Sequence, residues 1–112
     1  EETVRRYAKA ALELHGLRVM VAETPEDALS LALSTEEPIA LMLTDVVMPR
    51  MSGPDLAATL RNARPEMRVL YMSGYPASLV QHGLLDPSMR LISKPFRTAD
   101  LLATIDEMLS QP

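Results

Sequence analysis

The chain has 112 residues, a length typical of one domain, and its 47% hydrophobic and 23% charged residues suffice for an ordinary globular core. A net charge of −4 argues against a general nucleic-acid surface, and the absence of cysteine excludes structural disulfides and thiolate metal sites. No apolar run approaches the roughly 18 residues of a membrane span, so no membrane insertion is expected.

The N-terminal region predicts a helix followed by a short strand. Apolar residues recur at helical spacing at Val4, Tyr7, Ala8, Ala11 and Leu12. Gly16 follows as a typical C-terminal stop for this helix. Residues 18–22 (RVMVA) then have the composition of a strand.

A second helix and a second strand come next. Thr24 is the expected N-cap of the helix and Pro25 its first residue. The apolar face predicted for this helix consists of Ala28, Leu29, Ala32 and Leu33. The apolar run at 39–44 predicts a buried strand that leads directly into an acid, Asp45.

The pattern of alternating elements continues beyond Asp45. Gly53 and Pro54 begin a third helix, and residues 68–72 form a third strand that is closed by Ser73. The stretch 75–89 contains proline and glycine, and predicts only a short helix.

The C-terminal region predicts one more strand and helix. Residues 90–93 form the strand, which ends at Lys94 and Pro95, and Thr98 is the expected cap of the helix. The residues predicted to face inward from this helix are Leu101, Leu102, Ile105, Met108 and Leu109.

This alternation indicates an α/β fold with a doubly wound parallel sheet and helices on both faces. The carboxyl ends of parallel strands meet at one edge, so Asp45, Ser73 and Lys94 are expected to converge there. A carboxylate can act as a nucleophile toward a phosphoryl group, and a cation and a hydroxyl can stabilise the charge that develops on it. The three residues therefore predict a phosphoryl-accepting site on Asp45.

Three motifs, in this order, resemble the receiver domain of two-component response regulators: residues 43–49 (LTDVVMP) with Ser52 and Gly53, residues 72–75 (MSGY), and residues 93–96 (SKPF). The resemblance covers the whole chain, 1–112, as a single receiver domain. Residues 73–75 and 84–87 are most similar to receivers attached to hybrid sensor histidine kinases. The implied fold is flavodoxin-like, with strand order 2-1-3-4-5.

The resemblance implies a role for each motif residue. Asp45 would accept a phosphoryl group from a partner histidine kinase or phosphotransfer protein, with Lys94 contacting the phosphate and Ser73 acting as the switch hydroxyl. Phosphorylation would switch a surface near the last strand and the helices beside it. Mg²⁺ would bind Asp45 and the backbone carbonyl of Val47, and the Lys94–Pro95 bond would be cis.

The resemblance also implies where the protein acts and what it binds. We expect a cytoplasmic phosphorelay protein that is not an enzyme. We expect no binding of nucleic acid, and a homodimer is compatible with the resemblance.

The chain departs from the family at its beginning, where receivers have a buried strand ending in two acids that bind Mg²⁺. The first helix starts at once here, so we expect the domain to be N-terminally incomplete, with its first strand and the acid pair preceding Glu1. An alternative register makes Glu1 and Glu2 the acid pair, with Glu1 as a metal ligand; both residues also suit the N-terminus of a helix. A second departure is Leu91, which stands where the family often has an aromatic residue, and Tyr75 is an alternative cover for the site.

Two other functions compete with phosphate acceptance. The missing acid pair favours a pseudo-receiver, an interaction module that takes no phosphate. A phosphohydrolase with Asp45 as its nucleophile would commonly carry a second acid two residues on, where this chain has Val47, so the enzyme hypothesis ranks low.

Overall fold

The structure is a computed structural model that describes residues 2–74, 83, 86 and 89–111. Helices and strands alternate along this part of the chain. In order they are α1 (Glu2–Leu14), α2 (Pro25–Ser34), β1 (Leu41–Asp45), α3 (Gly53–Ala63), β2 (Arg68–Ser73), β3 (Arg90–Ser93) and α4 (Thr98–Ser110). The short helix expected within 75–89 and the residue Glu1 lie outside the described residues.

The three strands form one parallel sheet in the order β1-β2-β3. The α/β class and the parallel sheet are therefore as predicted. The described strands correspond to the last three positions of the expected order 2-1-3-4-5, and the first two positions of that order stay a prediction.

Residues 18–22, which were predicted to be a strand, are not one in the structure. They form no ladder with β1, which pairs only with β2 within the described sheet. The sequence prediction was wrong because composition reports a preference for the extended conformation, whereas a strand also needs a neighbour for its backbone hydrogen bonds.

The helices begin where the sequence predicts, with one exception. The hydroxyl of Thr24 accepts a hydrogen bond from the amide of Asp27 and caps α2, and Ser52 caps α3 in the same way. At α4 the cap position belongs to Arg97, whose side chain makes no capping bond. Thr98 lies one residue too far into the helix to cap it, and its hydroxyl contacts that of Tyr7.

The sheet separates two apolar clusters, because successive side chains of a strand point to opposite faces. On one face, Val69 and Tyr71 of β2 pack with helices α2 and α3; on the other, Leu70 and Met72 pack with α1 and α4. Burial raises the pKa of the Tyr71 phenol, and the nearby charge of Arg61 partly opposes this effect.

Most residues predicted to face inward from the last helix are buried, namely Leu101, Ile105 and Met108. Leu33, predicted for the apolar face of α2, is 67% exposed, so that prediction was wrong; Tyr7, part of the apolar pattern of α1, is 51% exposed. The apolar stripes of α1 and α2 are thus narrower than their composition indicates, and only the side chains that face the sheet are covered. Within the described residues, no helix combines the length and the apolarity that crossing a bilayer requires.

Candidate functional site

The candidate site lies where the three strands end. Asp45 is the last residue of β1, Ser73 is the last residue of β2, and Lys94 directly follows β3. The strand register aligns these ends, because Asp45 pairs with Met72 and Ser73 pairs with Ser93. The expected convergence at one edge of the sheet is therefore present in the backbone.

Asp45 and Lys94 form an ion pair at this edge. The ammonium group of Lys94 contacts Oδ1 of Asp45, and the two side chains are 29% and 24% exposed respectively. Oδ1 of Asp45 is buried and accepts no hydrogen bond from another described residue. The ammonium therefore supplies the charge that balances this carboxylate.

The backbone fixes the position of Lys94. Its amide donates a hydrogen bond of 2.8 Å to the carbonyl of Ser73, which ties the residue after β3 to the end of β2. The following bond, Lys94–Pro95, is cis, as expected.

Ser73 is buried, with 8% of its surface exposed, and lies one residue beyond the strand partner of Asp45. Ser73 therefore lies beside Asp45 at the carboxyl edge of the sheet, where the sequence predicts a hydroxyl group.

The loop after Asp45 is anchored by Val46. This side chain is 1% exposed; its amide donates to the carbonyl of Met72, and its carbonyl accepts a 2.7 Å hydrogen bond from Gly53. The next residue, Val47, is 67% exposed, so an apolar side chain projects into solvent beside the site.

The sequence did not reveal why α3 begins with Gly53. A Cβ atom on this residue would lie 2.2 Å from the carbonyl oxygen of Asp45. The start of α3 therefore packs directly on the backbone of the phosphoacceptor candidate, at a distance that only glycine allows. A glycine at the first position of a helix, just after a capping Ser52, was the available signal.

The described residues offer few oxygen ligands for the expected Mg²⁺. They contain no group of three His, Asp or Glu side chains that could hold a metal ion. Asp45 and the carbonyl of Val47 are the predicted ligands in this part of the chain, whereas Mg²⁺ demands near-octahedral coordination by carboxylates, water and phosphate. By themselves these residues do not complete a magnesium site, and Glu1, the other predicted ligand, lies outside the described residues.

Two further residues of the prediction differ in their placement. Leu91 is partly buried against the apolar cluster shared with α2 and α3. Tyr75, the alternative cover for the site, lies outside the described residues.

Comparison with known proteins agrees with this geometry. The family model of the response regulator receiver domain matches residues 1–106. The response regulator receiver protein CpdR of Brucella abortus is 32% identical over 110 residues, which cover 97% of this chain and 90% of CpdR. The sensor kinase CckA of Brucella abortus is 31% identical over 112 residues, and these cover 99% of this chain but only 12% of that kinase.

Solved structures show the same fold. The receiver domain of the hybrid histidine kinase CckA superposes with a TM-score of 0.82 at 27% identity, covering 98% of this chain and 93% of that domain. The receiver domain of NtrX from Brucella abortus has a TM-score of 0.84 at 20% identity, covering 100% of this chain and 94% of that one, and supports the fold alone. The resemblance to receivers of hybrid kinases is thereby confirmed, and the chain belongs to the response regulator receiver domain family.

Proposed function

We propose that Asp45 accepts a phosphoryl group from a phosphohistidine of a partner histidine kinase or phosphotransfer protein. The observation that carries the proposal is the ion pair between Asp45 and Lys94 at the carboxyl edge of a parallel sheet. The pair leaves one carboxylate partly open to solvent and holds a cation beside it. Receiver domains act as signalling modules, and this arrangement suits that use.

The transfer would proceed by attack of a carboxylate oxygen of Asp45 on the phosphorus of phosphohistidine. An O–P bond forms, the P–N bond breaks, and its electron pair returns to the imidazole. The imidazole leaves as a neutral ring because its other nitrogen keeps its proton. The product is an acyl phosphate on Asp45.

Lys94 would stabilise negative charge both before and after the phosphoryl transfer. It balances the carboxylate before transfer, and afterwards its ammonium can pair with the phosphoryl oxygens that carry the new charge. Ser73 is the expected donor of a hydroxyl hydrogen bond to one of these oxygens. The carbonyl of Val47 is a predicted oxygen ligand for Mg²⁺, which would supply further charge neutralisation when bound.

The phosphoryl group carries a charge of about −1.5 to −2 where the carboxylate carried −1, so the edge of the sheet becomes more negative and would attract different groups. Lys94 joins the site to β3, which precedes it in the chain, and to α4, which follows it. We therefore propose that phosphorylation switches a surface on β3 and α4. We also propose that the protein acts in the cytoplasm and that a homodimer is a compatible assembly.

The experiment is phosphorylation of the protein with acetyl phosphate and Mg²⁺, followed by intact mass measurement. The parent chain should gain one phosphoryl group, Asp45→Asn none, and Lys94→Ala markedly less. Asp106→Asn is the matched control, since it removes the exposed carboxylate that pairs with His15 at a distance from the strand ends. An undiminished gain in Asp45→Asn would overturn the proposal.

A pseudo-receiver, an interaction module that takes no phosphate, is the second candidate. The supporting observation is that the described residues place no acid cluster around Asp45. This function predicts partner binding that needs no metal and survives Asp45→Asn. Loss of binding on that substitution would count against it.

A further inference from the structure

Thr44 is a buried polar residue that has no role in the reaction as described so far. It directly precedes Asp45 in β1, and 7% of its surface is exposed. Buried strands of parallel sheets are mostly apolar, and a valine would fill the same space without a polar atom. The hydroxyl of Thr44 donates a hydrogen bond of 3.1 Å to the backbone carbonyl of Asp45. The one polar side chain before the acceptor is thus bonded to the acceptor's own backbone.

The carbonyl of Asp45 takes no part in the pairing of β1 with β2. The register places Asp45 opposite Met72, and the amide of Val46 donates to the carbonyl of Met72. In a parallel pair, the backbone groups of one residue bond to the two neighbours of its partner, so Thr44 and Val46 face β2 whereas Asp45 faces away from it. The hydroxyl of Thr44 therefore supplies a donor that the pairing with β2 cannot supply.

The start of α3 packs against the same carbonyl oxygen. A Cβ atom on Gly53 would lie 2.2 Å from this oxygen and 3.2 Å from Cγ2 of Thr44. The methyl group of Thr44 consequently lies next to Gly53, while its hydroxyl reaches the carbonyl of Asp45. Because χ1 of a β-branched residue is restricted, this packing of the methyl group also fixes the direction of the hydroxyl.

A second acceptor competes for the hydroxyl of Thr44. Sδ of Met48 lies 3.8 Å from Oγ1 of Thr44. A hydroxyl group has one proton to donate, and a thioether sulfur is a weak acceptor compared with a carbonyl oxygen. The proton is therefore assigned to the carbonyl of Asp45.

The peptide group between Asp45 and Val46 is thereby held at both ends. Its carbonyl accepts from Thr44, and its amide donates to Met72. Because a peptide group is planar, these two bonds fix its orientation and with it the backbone dihedral that follows the Cα atom of Asp45. The carboxylate that contacts Lys94 projects from this Cα atom.

We propose that Thr44 is a positioning residue for phosphoryl transfer: its hydroxyl holds the backbone of Asp45 so that the carboxylate stays against Lys94 and presents its other oxygen to the phosphorus. Oδ1 of Asp45 accepts no hydrogen bond from another described residue, so the backbone has a large share in placing the carboxylate. Thr44 acts through Asp45 and does not touch the reacting atoms. This inference rests on the proposed function of Asp45.

The test compares Thr44→Val, Thr44→Cys and Thr44→Ser in the full chain. Valine has the shape of threonine without the hydroxyl, cysteine offers a weak S–H donor, and serine keeps the hydroxyl. Initial rates of phosphorylation are measured over a range of acetyl phosphate concentrations at one fixed Mg²⁺ concentration. A misplacement of about 1 Å can cost about 10²-fold in rate, so we expect the maximal rate to fall by about tenfold or more in Thr44→Val. Thr44→Cys should lose less, Thr44→Ser should regain most of the rate, and the half-saturating donor concentration should stay at the parental value.

Two control variants separate this hydrogen bond from other effects. Thr104→Val removes a hydroxyl that donates to a backbone carbonyl within α4, and it should leave the rate unchanged. Met48→Leu removes the competing sulfur but keeps an apolar side chain of similar volume, and it should also leave the rate unchanged. The unfolding midpoint of every variant is recorded. If Thr44→Val does not fold, the comparison of Thr44→Ser with Thr44→Cys decides, because these two variants differ only in oxygen against sulfur.

The outcomes distinguish this inference from the proposed function. A parent chain that gains no phosphoryl group, or one whose gain survives Asp45→Asn, overturns both. A parent chain phosphorylated on Asp45, together with an undiminished rate in Thr44→Val, overturns the role of Thr44 alone. An equal loss in Thr44→Val and Thr44→Ser would do the same, since packing would then be the cause. So would an equal loss in Met48→Leu, which would make the contact with sulfur the cause.

Discussion

The substitution Gly53→Ala probes the contact between the start of α3 and the backbone of Asp45. The new Cβ atom would lie 2.2 Å from the carbonyl oxygen of Asp45 and 3.1 Å from its carbonyl carbon. Ordinary separations are about 3.5 Å, so α3 and Asp45 must move apart by roughly 1 Å. Overpacking of this kind costs about 1–3 kcal/mol. The same movement would also stretch the 2.7 Å hydrogen bond that the amide of Gly53 donates to the carbonyl of Val46.

The magnitude can be measured in two ways. At about 4 °C per kcal/mol for a domain of this size, the midpoint of thermal unfolding should fall by roughly 4–12 °C. A displacement of about 1 Å at a reacting carboxylate can cost about 10²-fold in rate, so the initial rate of phosphorylation by acetyl phosphate should drop by a factor of that order. Helix propensity alone would predict the opposite sign for stability, because alanine exceeds glycine by up to about 1 kcal/mol.

Gly74→Ala is the matched control, because a Cβ on Gly74 meets no atom within 4 Å. It should leave the unfolding midpoint close to that of the parent. If Gly53→Ala unfolds at the temperature of the parent and is phosphorylated within twofold of the parental rate, the close approach is not a constraint and the reasoning fails.

Two further predictions concern stability. The guanidinium of Arg64 donates to the carbonyls of Ala32, Thr35 and Glu37, so Arg64→Ala should lower the free energy of unfolding by about 2 kcal/mol in urea titrations; a loss below a few tenths would contradict this. Burial raises the pKa of Tyr71 above its ordinary value of 10.0, so the stability it contributes is complete below that pH and is lost as pH rises through the folded-state pKa. Unfolding free energies measured above pH 10 should therefore fall less steeply in Tyr71→Phe than in the parent, and equal slopes would refute the assignment.

The helix boundaries were largely readable from the sequence because their signals are local. Thr24 and Pro25 carry the start of α2 within two residues, and the capping bond to Asp27 confirms it. Thr98 misled the prediction because a threonine near a helix start can cap only from one position, and the chain enters α4 one residue earlier, at Arg97.

Contacts between residues that are distant in the sequence could not be predicted from local patterns. Arg64, the C-cap residue of α3, donates hydrogen bonds to carbonyls about thirty residues away, and no local pattern marks such an arginine. Residues 18–22 have the composition of a strand but lack a paired neighbour, which is a property of the sheet and not of the segment.

The candidate site was more predictable than these long-range contacts. Parallel topology alone brings strand ends to one edge, so the alternation of elements sufficed to place Lys94 near Asp45. The same convergence of a carboxylate, a cation and a hydroxyl predicted a phosphoryl-accepting site on Asp45, whereas the switch role of Ser73 came from the family resemblance; these chemical roles remain proposals.

The most direct test is the location of the phosphoryl group after transfer from a phosphorylated histidine kinase of the hybrid class. The acyl phosphate is trapped by reduction with borohydride, and the modified residue is identified by peptide mass spectrometry. Modification of Asp45 alone, absent from Asp45→Asn, is the predicted result. Modification at another residue, or none under conditions in which a known receiver is phosphorylated by the same kinase, would contradict the account.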